Sequence, residues 1–178
     1  MMDKTKLMRE RRELLDRIEQ ELQEDLVAAL MREPEGEDEP PILSVIFDGL
    51  GMEHEEAYGE FYFLNIPDED TKVQHFAAAI TIADEIEEER LGELFRAMSY
   101  VNFAVPCGAY SIDGDHRFLS YRLTVPLPIE MEGEDLYNEV NIVMANAVAV
   151  TDMHMDLLLK VLSGEEDANS IKEALNGR

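Results

Sequence analysis

The order of strand-like and helix-like segments constrains the fold of this chain more than any other feature of its sequence. Residues 73–83 and 116–126 alternate between apolar and smaller or polar side chains. A period of two is typical of a strand with one buried face, because successive side chains point to opposite faces of a sheet. Residues 42–47 and 58–66 are short apolar or aromatic runs, and residues 108–113 suit a hairpin with residues 116–126. These five segments, joined by short loops, predict an antiparallel sheet.

Segments of helical periodicity flank and separate these strands. Residues 3–32 carry apolar side chains at steps of three and four, and the same spacing recurs over residues 86–101. Residues 134–162 are apolar on nearly every side at their middle, which indicates a helix buried against the sheet. The order α-βββ-α-ββ-α predicts the α+β class, with an antiparallel sheet of about five strands covered by helices.

An acidic, proline-rich segment divides the chain. Residues 33–41 read EPEGEDEPP, which ends the preceding helix and indicates an exposed linker. The sequence therefore predicts an amphipathic helix over residues 1–32, this linker, an α+β domain over residues 42–165, and a tail over residues 166–178 in which a short helix from Ala168 to Asn176 is expected. The apolar stripe of the first helix suits packing on its own domain or on a partner helix, and the sequence leaves both open.

The net charge excludes some classes of partner. The chain has 178 residues, of which 40 are acidic and 15 basic, for a net charge of −25. Binding to nucleic acids or to anionic membranes depends on lysine and arginine, so neither is expected as a partner. The acidic surface favours partners with basic patches, although a surface adapted only for solubility has the same charge.

The cysteine count and the apolar runs indicate the compartment. Cys107 is the single cysteine, so no intramolecular disulfide can form, which fits a reducing cytoplasm. The N-terminal residues MMDKTKLMRERRELL lack the apolar segment of a signal peptide. The longest strongly apolar run, residues 142–150, is too short to span a membrane. We therefore expect a cytoplasmic protein.

Residues 99–127, SYVNFAVPCGAYSIDGDHRFLSYRLTVPL, carry a resemblance to a known family. The segment resembles the YbjN family, and the order of elements is similar to that of the class I chaperones of type III secretion. In the YbjN pattern a helix ends in an Asn, a Gly precedes the next strand, a Gly-containing turn follows, an aromatic-Arg pair lies in the last strand, and a Gly follows the closing helix. The corresponding residues are Asn102, Gly108, Gly114, Tyr121, Arg122 and Gly164. The resemblance covers residues 42–165 and implies a chaperone-like fold, often dimeric, with a role in protein binding or regulation and with no catalytic residues.

Two groups of Asp and His residues are the candidates for a metal site. Members of the first group are two residues apart and point in different directions on a helix. The second group lacks the spacing and the terminal Glu of a calcium loop, and a hairpin turn accounts for it. The groups are Asp152 with His154 and Asp156, and Asp113 with Asp115 and His116. We therefore expect no metal and no cofactor.

Catalytic motifs are also missing from the sequence. Cys107 follows Pro106 near a predicted helix end, where the helix dipole disfavours a thiolate, and no neighbouring residue supplies a base. The sequence has no Walker-type phosphate loop, no dinucleotide glycine fingerprint and no Gly-x-Ser-x-Gly nucleophile elbow. We therefore expect that the protein is not an enzyme.

Apolar side chains in excess of one core are the remaining candidates for function. The strand over residues 58–66 has Phe61 and Phe63 on one face and Tyr62 and Leu64 on the other. Either helices bury both faces, or one face is an exposed patch that binds a client protein, and the sequence leaves this open. The edge of the sheet also suits an extended peptide that binds as an added strand.

These features predict a non-catalytic protein-binding module, chaperone-like or adaptor, which shields or regulates a client protein. A homodimer is expected, and its predicted contact is the helix over residues 86–101, with Leu91, Leu94, Phe95 and Met98 at its centre.

The alternative function is a sensory or regulatory domain that binds a small ligand. Its site would lie between the long C-terminal helix and the sheet, with Asn141 and Asn146 as polar contacts in an apolar stretch. An enzyme ranks last, because the sequence names no cleft of converging titratable groups.

Overall fold

The computed structural model describes residues 4–34, 39–65, 72–115 and 117–177. These residues form four helices and six strands. In chain order they are α1 Lys4–Glu24, β1 Ala28–Arg32, β2 Ile42–Leu50, β3 Glu55–Phe63, β4 Val73–Ala83, α2 Glu88–Ala104, β5 Ala109–Ile112, β6 Leu119–Pro128, α3 Gly133–Ser163 and α4 Ala168–Asn176.

The six strands form one open antiparallel sheet in the order β1-β2-β3-β4-β6-β5. β1 pairs with β2 from Ala28 opposite Ile46 to Arg32 opposite Ile42. At the other edge β5 pairs with β6, with Tyr110 opposite Tyr121. The predicted α+β class with an antiparallel sheet is therefore confirmed, although the sheet has one strand more than the five that the sequence predicted.

The additional strand comes from the segment that was predicted as the last two turns of the first helix. α1 ends at Glu24 rather than near Arg32, and β1 follows. Leu26 has a φ of 64°, and the Val27 N–H donates to the Leu22 carbonyl, which is the hydrogen bond that closes a helix through a left-handed residue. Glycine normally occupies such a position, so a leucine there gives no sequence signal for the helix end.

Contacts divide the chain into two compact units, of which the first comprises Met1–Phe47, Tyr58–Ala78 and Thr124–Ala145. Within it α1 packs on β1, and Leu15 and Ile18 of the α1 stripe are fully buried. The stripe of the first helix is thus buried within its own chain, which is one of the two arrangements that the sequence left open.

The second unit comprises Asp48–Ala57, Ala79–Leu123 and Asn146–Arg178. Within it α2 packs on α4 and on β5. α4 occupies the residues predicted for a short tail helix, and its N-cap Asp167 accepts two backbone N–H bonds of 2.9 and 3.0 Å. The hydrogen bond from the Ser170 backbone contributes most to holding the pKa of Asp167 below its ordinary value.

α3 is the one helix in the described ranges that is long and apolar enough to cross a membrane by length and composition alone. Its apolar window is 44% buried inside the chain. A partly buried apolar helix in a small globular protein is compatible with a soluble protein.

Three sequence features lie wholly or partly outside the described residues. They are residues 35–38 of the predicted linker, the predicted turn over residues 67–70, and His116 of the second Asp/His group.

Candidate functional site

The strands of the first unit turn one face toward α1 and leave the other open. On β4, Gln74 and Phe76 are buried and Gln74 bonds to α1, whereas the alternate residues Val73 and His75 are exposed. Two observations identify which residues of the other strands lie on this exposed face. They are the β1–β2 register and a hydrogen bond of 2.8 Å that the Tyr58 hydroxyl donates to Ser44. We call this surface the open face; its residues are Ala28, Leu30, Arg32, Ile42, Ser44, Ile46, Tyr58, Glu60, Tyr62, Val73, His75 and Ala77.

The open face is apolar and nearly without net charge. Leu30 is 64% exposed, and Ile46, Val73 and Tyr58 are each more than a third exposed. Among the twelve residues of the open face, the acidic and basic side chains are one glutamate and one arginine, Glu60 and Arg32, which form an ion pair. The open face ends where β2 and β3 reach Asp48 and Glu56, which are exposed acidic residues on the same side of these strands. Depletion of charge with exposed apolar and tyrosine side chains is the composition of interface cores.

The four residues predicted as a client-binding surface lie on different sides of the sheet. Phe61 and Phe63 are 0% and 3% exposed, so they belong to the core and cannot contact a client. The Phe63 and Phe76 ring centroids lie 5.0 Å apart. Tyr62 is half-buried on the open face, and Leu64 is 37% exposed just beyond β3. The prediction was wrong for the two phenylalanines because α1 covers their face.

The outer edge of β1 is covered by side chains from α1. Glu19 accepts a hydrogen bond of 2.9 Å from the Met31 N–H, and Gln23 donates one of 2.8 Å to the Ala29 carbonyl. Gln23 also donates to Glu19 over 3.3 Å, which fixes the pair. An incoming strand needs these backbone groups, so its addition at this edge requires the α1 side chains to leave.

The edge strand β5 is covered in the same way by α2. The Asn102 side chain accepts a hydrogen bond of 2.7 Å from the Tyr110 N–H and donates one of 3.0 Å to the Tyr110 carbonyl. One amide thus occupies both main-chain groups of the central part of a four-residue strand. Asn102 is one of the residues that carry the YbjN resemblance, and its role in this fold is to cover an edge.

Half of the predicted dimer contact on α2 is not accessible. Leu94 is fully buried and Met98 is 5% exposed, because they face the core of the second unit. Leu91 is half-buried, and Phe95 is 53% exposed. Phe103, two turns beyond Phe95 on the same side, is 94% exposed and was not predicted. The prediction was therefore wrong for Leu94 and Met98.

A groove of about 450 Å³ lies in the first unit between α1 and the start of α3. Its apolar lining includes Leu7, Leu14, Ile129, Met131 and Leu136. The volume falls in the range of roughly 300–1,000 Å³ that is typical of small-molecule sites.

Arg11 lines this groove, is buried, and has no carboxylate partner among the described residues. Its side chain is 2% exposed, with the guanidinium 4.9 Å from the centre of the Phe63 ring. Nε donates to Gln74 over 3.1 Å and Nη1 to the Leu64 carbonyl over 3.4 Å, but Nη2 has no partner among the described residues. Desolvation lowers the pKa of Arg11 to about 10. A buried donor left unbonded costs about 1–3 kcal/mol, so this arrangement reduces stability in the empty groove.

The second arginine of the groove is fully paired. Arg17 donates to Glu21 over 3.0 Å and to Glu134 over 2.6 Å, and it stacks 3.7 Å from the Tyr137 ring centre. The Tyr137 hydroxyl donates to Glu21, and this bond contributes most to the lowered pKa of Glu21. This network ties α1 to the first turn of α3 and forms one wall of the groove.

The two asparagines predicted as ligand contacts do not line this groove. Asn141 donates to the Tyr137 carbonyl over 3.0 Å within its own helix, and Asn146 is exposed. The groove also lies beside α1 rather than between α3 and the sheet. A cavity of suitable size for a small ligand is therefore present, but it lies at another place and has other polar groups than the alternative function predicts.

The first Asp/His group holds a turn. Asp152 accepts a hydrogen bond of 2.9 Å from the Gly51 N–H, and Asp156 one of 2.7 Å from the Met52 N–H. His154 is buried, and its Nδ1 lies 2.9 Å from the Val150 carbonyl. No cluster of three or more possible metal ligands occurs in the parts of the chain that the structure describes.

The second Asp/His group, in its described part, forms a local turn. Asp113 accepts a hydrogen bond of 2.9 Å from the Asp115 N–H. His116 lies outside the described residues.

The residues around Cys107 support the strand that follows. The Tyr121 hydroxyl donates to the Cys107 carbonyl over 2.7 Å, and burial is the largest cause of the raised pKa of Tyr121. Gly108 has a φ of 65°, and a Cβ there would lie 2.4 Å from the Tyr121 hydroxyl. Cys107 is exposed, and its sulfur lies 3.8 Å from that hydroxyl. These contacts position the backbone before β5.

Comparison with known proteins gives a weak structural similarity and no family. No family model matches the chain, and no curated protein matches it. A solved structure of an uncharacterized protein from Methanothermobacter thermautotrophicus is similar over 82% of this chain and 99% of its own, at 13% identity and a TM-score of 0.37.

The position of Arg11 in the apolar stripe of α1 is a sequence signal for its burial, and this signal is not visible in the residue composition. Arg11 lies four residues before Leu15 and four after Leu7, so it continues the apolar stripe of α1. An arginine at a core position of an amphipathic helix is rare unless it is paired, and this position was therefore the informative one.

Proposed function

We propose that this protein is a non-catalytic protein-binding module whose docking surface is the open face of the first unit. One observation supports the proposal above all: a chain with a net charge of −25 has a sheet face that is apolar, rich in tyrosine and neutral. A face adapted only for solubility would carry its share of acidic residues.

The proposed occupant is an apolar segment of a client protein that has basic residues on either side. The open face supplies apolar contact area, and the acidic surface elsewhere on the chain attracts a basic partner and increases its association rate. A second copy of this chain is the less favoured occupant, because it would bring two net charges of −25 together. Strand addition is not part of the proposal, since Glu19, Gln23 and Asn102 cover the described groups of the two edge strands.

We further propose that binding takes place in the cytoplasm. The single cysteine, which leaves the chain without an intramolecular disulfide, supports this location.

The test uses synthetic peptides and two matched variants. The peptides are twelve residues long and combine a Val/Leu centre with Lys/Arg flanks, with acidic-flanked peptides of the same centre for comparison. Leu30→Thr/Val73→Thr removes exposed apolar area from the open face while keeping β-propensity. Ile142→Gln removes an apolar side chain of comparable exposure, 53%, from α3. Affinity is measured by fluorescence anisotropy at low salt and at about 0.5 M salt.

We expect the basic-flanked peptides to bind in the micromolar range, with at least tenfold weaker binding to the open-face variant and unchanged binding to Ile142→Gln. Hydrogen exchange should report protection in β1 to β4 of the first unit. Equal binding by the two variants, or a preference for acidic flanks, would contradict the proposal. A dimer in light scattering that the open-face variant abolishes would show that a second copy occupies the face instead.

A further inference from the structure

The groove beside Arg11 has the chemistry of a ligand site that the protein-binding proposal does not use. Arg11 is 2% exposed and its Nη2 is a buried donor without a partner in the described ranges. A carboxylate is the group whose planar geometry best satisfies a guanidinium. Most buried polar groups in proteins are bonded, so an orphan donor beside a cavity indicates the position of a missing acceptor.

The rim of the same groove has the opposite charge. Four glutamates and two arginines line it, for a net charge of −2. One of these arginines, Arg17, is already paired with Glu21 and Glu134. Glu10 and Glu13 form surface ion pairs with Lys6 and Arg9, and Glu132 is exposed at the rim. A simple anion would be repelled by these carboxylates before it reached Arg11, whereas a ligand with an additional cationic group would be attracted.

The rest of the lining is apolar and selects for a hydrophobic substituent. Leu7, Leu14 and Leu136 share the groove with Ile129 and Met131. Apolar walls with a few convergent polar groups are the usual composition of a small-molecule site, and a volume of about 450 Å³ accommodates a ligand of about ten to fifteen non-hydrogen atoms.

We propose that this groove binds a small zwitterion of the amino-acid class. Its carboxylate bonds to Arg11 at the floor, its ammonium group lies among the rim glutamates, and its apolar side chain packs against the leucine-lined wall. The ligand bonds α1 to the first turn of α3 through its own contacts and thereby adds to the network of Arg17 and Tyr137. Since α1 also covers the β1 edge, occupancy of the groove stabilises that cover.

The experiment measures binding of the twenty common L-amino acids, each alone, to the full chain by thermal shift and calorimetry. We expect one or more apolar amino acids to raise Tm, by about 5 °C or more at a concentration about 100 times Kd. The corresponding amino-acid amide lacks the carboxylate and the N-acetyl derivative lacks the ammonium group, so each should bind at least tenfold more weakly. These derivatives test the proposal on the unmodified protein.

Two variants test whether the amino acid binds at Arg11. Arg11→Met keeps an unbranched apolar stem and removes the buried charge, and Arg122→Met removes a charge from an exposed position outside the groove. We expect Arg11→Met to lose amino-acid binding while the empty protein still unfolds in one cooperative transition, because removal of a buried charge offsets the loss of the donors to Gln74 and the Leu64 carbonyl. Arg122→Met should bind as the wild type does.

The outcomes separate this proposal from the protein-binding proposal. Leu30→Thr/Val73→Thr should bind the amino acid normally, since these residues do not line the groove. If no amino acid binds, if amide and free acid bind alike, or if Arg11→Met binds as well as the wild type, the zwitterion site is wrong whatever the peptide assays show. Binding of inorganic phosphate or acetate with equal affinity would overturn the zwitterion in favour of a plain anion.

Discussion

At the scale of single residues, the conformation of a few positions decides where elements begin and end. Leu26, at a φ of 64° and 94% exposed, ends α1 without the glycine that usually marks such an end. Gly108, at a φ of 65°, lets the chain pass against Tyr121 before β5. A leucine at a positive φ is strained, whereas a glycine at a positive φ is relaxed. Substitution by glycine at position 26 should therefore relieve strain, and substitution of Gly108 should create it.

Gly108→Ala should destabilise the protein by about 2 kcal/mol or more, because the new Cβ meets the Tyr121 hydroxyl and the Arg122 carbonyl at 2.4 and 2.6 Å. The matched control is Gly114→Ala, since no atom lies within 4 Å of a Cβ at that position. The free energy of unfolding is measured by urea denaturation followed by circular dichroism. Equal effects of the two substitutions would show that the contact with Tyr121 is not tight.

At the scale of elements, helices protect the edges of the sheet. α1 covers β1 through Glu19 and Gln23, and α2 covers β5 through Asn102. Exposed strand edges pair with other chains, and natural proteins avoid this by covering them. The two edges use the same device, a side-chain carboxylate or amide that takes the place of a neighbouring strand.

Glu19→Ala/Gln23→Ala should free the β1 edge and make the protein associate. We expect a loss of about 1 kcal/mol in the free energy of unfolding, together with concentration-dependent growth of light scattering at neutral pH. Gln20→Ala, an exposed position between them, is the control and should remain like the wild type. A double variant that stays monodisperse would mean that the edge is protected by something other than these two side chains.

At the scale of the whole molecule, the dominant property is self-repulsion. The 40 acidic residues exceed the 15 basic ones by 25. Several arginines of the described parts are held in surface pairs, such as Arg12 with Asp16 and Glu33, and pairs of this kind contribute little. Most carboxylates therefore lack a basic partner, and their mutual repulsion opposes the compact state.

Raising the NaCl concentration from about 0.1 M to about 1 M should raise Tm at pH 7, because the Debye length falls from about 10 Å to about 3 Å. We expect an increase of about 2–4 °C, which corresponds to about 1 kcal/mol for a chain of this length. The control is the same titration at a pH close to the isoelectric point of about 4.3, where the gain should vanish. A Tm that falls with salt at pH 7 would show that ion pairs outweigh repulsion.

The sequence by itself determined the elements whose periodicity is long and regular. The alternation of Val73–Ala83 predicted β4 with its bounds, and the apolar repeat near residues 134–162 predicted α3 to within one residue at each end. Periodicity is a local property, and burial of one face suffices to impose it. The net charge, and with it the proposal of a basic partner, also needs no structure.

Only the tertiary structure decided which faces are buried and which polar groups find partners. Phe61 and Tyr62 are neighbours with similar apolar character, but Phe61 packs in the core beside Phe47 and Tyr62 lies on the open face. Leu94 and Phe95 on α2 differ in the same way. Arg11 continues the apolar stripe of α1 in the sequence, but only the structure shows that its Nη2 lacks an acceptor among the described residues. Such contacts join residues far apart in the chain, so no local pattern encodes them.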